Sequence, residues 1–169
     1  AVVVAIDEIE YVPAPRELTV VQAIPKGERG DLAVELLTET GASRIVPWAS
    51  ARTVADWRGK ESGKVDRWRR VAKAAAMQSR RPYLPEVTDL LCGVPSLPTF
   101  VLHETAHTSL FDLVLPEGPL SVVVGPEGGL TEDEVSAMGG TPVLLGPEIL
   151  RTSTAGAAAC VWIRGMDRH

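Results

Sequence analysis

The sequence predicts an α/β fold, a mainly parallel sheet flanked by helices. Three observations carry this. Short apolar, β-branched runs alternate with longer segments rich in helix formers. Residues 19–47 close a strand–helix–strand unit, which implies parallel strands joined by a right-handed crossover. Of the 169 residues, 45% are hydrophobic, yet no apolar run approaches the ~18 residues of a membrane span, so the apolar residues build a core.

Thr19-Val20-Val21-Gln22-Ala23-Ile24 reads as the first strand and 25–30, PKGERG, as a loop. Asp31 is placed to N-cap a helix from Leu32 to Thr40, with Gly41 as its C′ residue. Arg44–Pro47 is a short strand, and 50–64 is polar and loop-like. Asp66–Ser79 is a strong helix, with Trp68, Val71, Ala72 and Ala75 in one apolar stripe. Thr99–Leu102 and Ser121–Val124 are strands. Thr131–Met138 is a short helix opened by a capping box between Thr131 and Glu134. Pro142–Leu145 is a strand broken by Gly146-Pro147-Glu148, and Ile149–Ile163 is a terminal helix with almost no side-chain bulk over 154–159. The opening AVVVAIDEIEYVPAPRE fits the alternation poorly and reads as a strand and a Pro-rich linker.

A net charge of −5 and a pI near 5.2 do not suit a general nucleic-acid binder, so any basic surface is local. Arg69, Arg70, Lys73, Arg80 and Arg81 form the one concentrated basic helix; they read either as an RNA-backbone contact or as a solvated face. Two cysteines are too few for a disulfide framework, and Cys92 and Cys160 are both expected as buried free thiols. The N-terminal stretch lacks the basic start of a signal peptide, and a cytoplasmic protein with no membrane partner is expected.

His103-Glu104-Thr105-Ala106-His107 spells a zinc-peptidase motif, but that spacing works on a helix, and the preceding residues read as a strand; no metal is expected. Neither dinucleotide nor P-loop glycine patterns occur. What remains is a pair of similar loops, 124–130 (VGPEGGL) and 144–152 (LLGPEILRT). Each is a strand end, then Gly-Pro-Glu, then a helix start. Ligands of open parallel sheets sit beyond the carboxyl ends of strands. Such loops offer backbone groups to a flat heterocycle, with Leu102, Leu130, Leu145, Ile149 and Leu150 as apolar walls. Three glycines and a proline within 125–129 exceed what a simple turn needs, which points to a close approach by another backbone or by a ligand.

At these residues the chain resembles the RsmE-type branch of the SPOUT methyltransferases. The resemblance rests on VVVGPEGGLTEDEV (122–135) and LLGPEILRTSTA (144–155), supported by 35–53, 67–87 and FVLHE (100–104), and covers most of 19–163. It implies a C-terminal trefoil knot of SPOUT type, binding of S-adenosyl-L-methionine, and methylation of N3 of a uridine in small-subunit (16S) ribosomal RNA, free or in the 30S particle. It implies a cofactor site built from Leu102, His103, Glu104, Val124, Gly125, Pro126, Glu127, Gly128, Gly129, Leu144, Leu145, Gly146, Glu148, Ile149, Leu150 and Thr152. It also implies a homodimer. Members carry an N-terminal PUA-like RNA-binding β-barrel; residues 1–18 are then expected to be its remnant and linker, ahead of a methyltransferase domain at 19–169. The small residues of 154–159 gain a reason in the threaded crossing.

This sequence departs from the family pattern at Leu36, Arg80, Glu148 and Ser153, where Lys, Gly, Arg and Glu are common in members. The last two put in doubt any charge-based role at 148 or 153. They leave a second reading open, a knotted module that holds RNA without transferring methyl groups. For catalysis, N3 of uracil must lose its proton before it attacks. Arg151 is a candidate cation for the resulting anion and Glu127 a candidate base, against the plainer role of Glu127 as a loop hydrogen-bonder and of Arg151 as a structural or phosphate-binding residue.

Overall fold

The computed structural model describes residues 13–55, 57–96 and 98–167. Its sheet is made of β1 (Leu18–Ala23), β2 (Arg44–Ala49), β3 (Glu86–Val87), β4 (Leu91–Cys92), β5 (Phe100–Leu102), β6 (Leu120–Val124) and β7 (Thr141–Val143). The order is β3-β2-β1-β6-β5-β7, with β4 also pairing along β2, and every pairing is parallel. The helices are α1 (Arg29–Glu39), α2 (Glu61–Gln78), α3 (Glu132–Met138) and α4 (Thr152–Met166). The expected mainly parallel α/β sheet is therefore present.

Alternation within the strands divides the core in two. Leu18, Val20 and Ile24 face a large cluster completed by Val34 and Leu37 of α1, Trp68 and Ala72 of α2, and Ala159 and Ile163 of α4. Val21 and Ala23 face a smaller cluster with Trp48, Val123, Leu130 and Met138 at the end of α3. Three helices thus cover one face, and one short helix covers part of the other.

The last helix takes the longest route. β7 lies at the sheet edge, yet α4 packs on α1, β1 and β6 near the centre. A Cβ at Gly156 would stand 2.9 Å from Leu37, 3.1 Å from Val124 and 3.3 Å from Val20. The small residues of 154–159 are thus the surface by which α4 presses onto the sheet. Its far end is clamped: Arg164 donates to the carbonyls of Gly41 (2.7 Å) and Arg16 (2.7 Å) and to Ser43 Oγ. Asp167 pairs with both Arg164 and Arg16.

Several boundaries differ from expectation, each for a tertiary reason. α1 starts at Arg29, and Asp31 lies in its first turn paired with Arg67 of α2 (2.6 Å), so it is not the N-cap. α2 starts at Glu61, inside the expected loop, because Val65 is buried in the large core and Glu61 accepts from Gly59 N–H. α4 starts at Thr152; residues 144–151 are irregular because the Leu144 backbone bonds to Thr108 and Leu110 instead of turning into a helix. β3 and β4 were not expected. They are two-residue edge pairings, too short to leave a pattern in sequence. Cys160 is buried, but Cys92 at the end of β4 is exposed, contrary to expectation. The expected barrel remnant at 1–18 lies mostly outside the described residues, and Leu18 already belongs to β1. No helix among the described residues is long and apolar enough to cross a membrane.

Candidate active site

All-parallel pairing puts every strand's carboxyl end on one side of the sheet. There the ends of β6, β5 and β7 are level: Leu102 is in register with Val124 on one side and Val143 on the other. Three loops therefore leave together: 125–130, 103–107 and 144–151. β5 sits in the middle, so the two Gly-Pro-Glu loops flank the 103–107 loop across about 10 Å, two strand spacings.

The first loop is braced on every side. Gly129 N–H donates to Pro126 O (2.9 Å), closing a tight turn. Each glycine has its own reason. Gly129 has φ +72, in the left-handed region. A Cβ at Gly125 would stand 3.0 Å from Leu130, and one at Gly128 would stand 3.3 Å from Arg52. Glu127 accepts from the backbone N–H of Lys26 (3.1 Å), tying the loop to the β1–α1 turn. Arg52 Nη1 donates to the carbonyls of Gly128 (3.0 Å) and Leu130 (3.5 Å). The capping box opens α3 as expected: Glu134 Oε2 accepts from Thr131 N–H, and Thr131 Oγ1 accepts from Glu134 N–H. Glu134 is buried, and its other oxygen accepts from Ala51 N–H (2.8 Å).

The middle loop starts where His103 N–H donates to Val143 O (2.9 Å). The His103 ring lies 3.0 Å from Thr105 Oγ1, and Glu104 Oε1 lies 3.9 Å from the position a Cβ of Gly129 would take. Residues 103–107 are not helical, so the two imidazoles are not presented on one helix face as the peptidase motif requires.

The second Gly-Pro-Glu loop is open. Gly146 has φ +144 with nothing among the described residues within 4 Å of the position a Cβ would take, and Glu148, Ile149, Leu150 and Arg151 are exposed. Arg151 is the N-cap residue of α4, and its side chain has no partner among the described residues. Order returns at Thr152, whose carbonyl accepts from Gln22 Nε2 (3.1 Å) at the end of β1. Gln22 Oε1 and Ser153 Oγ are buried without a hydrogen-bond partner among the described residues.

The basic residues of α2 do not act alike. Arg69 pairs with Asp66 and Asp89 and donates to Val87 O, so it staples α2 to β3 and the turn after it. Arg81 donates to the carbonyls of Thr38 (2.6 Å) and Ala42 (3.0 Å), capping the carboxyl end of α1. Burial and the neighbouring Arg164 charge lower the Arg81 pKa. Arg70, Lys73 and Arg80 are exposed, with no side-chain partner among the described residues. Cys160 lies near Arg81 and Arg164, and burial pushes its thiol pKa up to about 12.

Of the candidate site residues, the fold brings the 102–104, 124–129 and 144–152 sets to one edge of the sheet. It leaves the basic helix elsewhere. Sequence reasoning missed Arg52, Lys26 and Gln22. Their contacts span 76, 101 and 130 residues, and nothing local marks them.

Residues 12–164 match the family model described as an RNA methyltransferase domain. The chain belongs to this family. Ribosomal RNA small subunit methyltransferase E of Mycobacterium tuberculosis is 44% identical over 164 residues, covering 87% of this chain and 62% of the relative. The Bacillus subtilis protein of the same name is 35% identical, covering 87% and 66%. The chain thus spans a little under two thirds of these relatives' length. Among solved structures, the Neisseria gonorrhoeae methyltransferase E bound to S-adenosyl methionine aligns with a TM-score of 0.79 at 31% identity, over 90% of this chain and 67% of that one. The SpoU methyltransferase AviRb of Streptomyces viridochromogenes, at 13% identity and a TM-score of 0.56 over 93% and 63% of the two chains, shares the fold alone. Within this RNA methyltransferase family, the edge formed by the three loops is the candidate active site.

Proposed function

We propose that this chain is the S-adenosyl-L-methionine-binding, methyl-transferring domain of an enzyme that modifies N3 of a uridine in small-subunit (16S) ribosomal RNA, acting in the cytoplasm on the RNA or the assembled 30S particle. The observation that carries the reading is the level register of Leu102 with Val124 and Val143, which sets three loops around one edge. A relative that has this fold at 31% identity binds the cofactor.

The cofactor supplies an electrophilic methyl group on a sulfonium; the chain's task is placement. Loops 102–104, 124–129 and 144–152 offer backbone groups to the adenine and methionine ends. Bound there, the cofactor would lie beside Arg151, an exposed guanidinium with no side-chain partner among the described residues. That side chain suits stabilising the uracil anion left when N3–H ionises. Glu127 already serves the Lys26 amide, which favours a structural role over a base.

For RNA contact the proposal rests on Arg70, Lys73 and Arg80, since Arg69 and Arg81 are engaged internally. For assembly we propose a homodimer that covers the exposed apolar side chains Phe111, Ile149, Leu150 and Val161; Phe111 stands edge-on to Trp162 (5.7 Å). The return of α4 from the edge to the centre of the sheet supports a trefoil knot of the SPOUT kind.

Calorimetry tests the cofactor site: the wild-type chain binds S-adenosylmethionine and Gly128→Val does not, because a branched side chain there meets Arg52. Equal binding by both would remove the loop from the site. Transfer of labelled methyl to 30S particles by full-length protein, with loss of one methyluridine in cells lacking it, tests the reaction. A monomeric mass in light scattering at micromolar concentration would refute the dimer.

A further inference from the structure

Arg52 lies on the β2–α2 turn, 76 residues from the carbonyl it holds. The turn that carries it is closed by hydrogen bonds. Thr53 N–H donates to Ser50 O (3.1 Å), and Ser50 N–H donates to Thr53 Oγ1 (3.0 Å). Next to Arg52, Ala51 N–H donates to the buried Glu134 carboxylate (2.8 Å). That carboxylate also takes Thr131 N–H at the far end of the glycine loop (2.9 Å). From this frame Arg52 reaches over Gly128, its Cβ within 3.3 Å of the position a Gly128 Cβ would take, and Nη1 meets the carbonyls of Gly128 and Leu130.

Holding a carbonyl fixes its whole peptide plane, including the N–H of the next residue. The two planes held are those that carry the N–H groups of Gly129 and Thr131. Both are already used, one by Pro126 O and one by Glu134. Without Arg52, the middle of a glycine-rich turn would depend on one backbone bond and one exposed carboxylate contact. Glycine is the residue least able to hold a conformation unaided. A guanidinium bonded at 3.0 Å to one carbonyl and 3.5 Å from a second adds a charge-assisted restraint to the turn.

We infer that Arg52 is a positioning residue: it presets the 125–130 loop in its cofactor-receiving conformation, and Gly128 is small because Arg52 lies on it. This rests on the cofactor reading above. The effect falls on cofactor affinity and not on RNA, because among the described residues the Arg52 side chain bonds to that loop.

The test is calorimetry with S-adenosylmethionine on the chain, and steady-state kinetics on the full-length enzyme, for Arg52→Ala, Arg52→Lys and Glu134→Gln. Arg52→Ala is expected to weaken cofactor binding at least tenfold and raise KM for the cofactor by a similar factor. The expected kcat stays within about threefold and KM for RNA is unchanged. Arg52→Lys should recover part of the loss, since one ammonium can serve one carbonyl. Glu134→Gln, which loosens the frame, should shift affinity the same way by less. If Arg52→Ala does not fold, Arg52→Lys alone decides, by weaker cofactor binding at unchanged KM for RNA. Wild-type affinity in Arg52→Ala, or a rise in KM for RNA with cofactor affinity intact, overturns the inference while leaving the cofactor site standing. A wild-type chain that binds no cofactor overturns both.

Discussion

The two Gly-Pro-Glu loops are spelled alike and built oppositely. The first, 125–129, is held by Arg52, Lys26, Leu130 and a capping box, with each glycine filling a defined need. The second, 146–151, is braced among the described residues only at its end, where Thr154 Oγ1 donates to the Arg151 carbonyl (3.2 Å), and Ile149 stands 81% exposed. One strand separates them. The contrast teaches that one wall of the candidate site is preset, whereas the other is left for something else to complete. A cofactor, an RNA or a second copy of the chain would each do so, and preset geometry on one side lowers the ordering cost of binding on the other.

Four substitutions probe this contrast, from the largest expected effect to the smallest. The open loop ends abruptly where α4 meets the sheet. Gly156→Val should cost about 3 kcal/mol, the upper range for overpacking a tight contact, read as a lower urea midpoint at unchanged slope. A loss under about 1 kcal/mol would mean that α4 is not pressed onto Leu37 and Val124. In the braced loop, Gly129→Ala should cost about 1–2 kcal/mol, because φ +72 is unfavourable for any residue with a Cβ.

The buried ground under α4 is also legible by pH. The Cys160 thiol is raised from 9.0 to about 12, so the folded state keeps a proton that the unfolded chain releases near pH 9. Its contribution to stability is complete below pH 9 and is lost as pH climbs towards 12. Thermal melts of wild type and Cys160→Ala should converge across that interval; a constant separation would place Cys160 nearer solvent. At the other extreme, Ile149→Ser in the open loop should leave the unfolding free energy within about 0.5 kcal/mol of wild type, provided the comparison is made at a concentration where the chain is monomeric. A cost above 1 kcal/mol would show the second loop to be as packed as the first.

Arg80 has φ +53 at the end of α2, where Arg81 N–H bonds to Ala76 O and Arg80 N–H to Met77 O, the pattern of a left-handed helix stop. Members of the resembled family often have glycine there. The local backbone gives the reason, and Arg80→Gly should stabilise the chain by up to about 1 kcal/mol while removing one cation from the proposed RNA face.

Sequence by itself determined the strand–helix alternation, the parallel sheet, the capping box at Thr131 and Glu134, and which loops stand at the strand ends. These follow from residue period, capping chemistry and glycine placement, all of which act over a few neighbours. Only the tertiary structure decided that Asp31 pairs with Arg67 and does not cap its helix, that α2 begins at Glu61, that Arg69 and Arg81 are staples, and that Arg52 lies on Gly128. The contacts that fix the arginine pairings span 18 to 76 residues. A guanidinium carries the same charge and donors wherever it stands, so only the partner that folding brings to it, carbonyl, carboxylate or open solvent, settles its role.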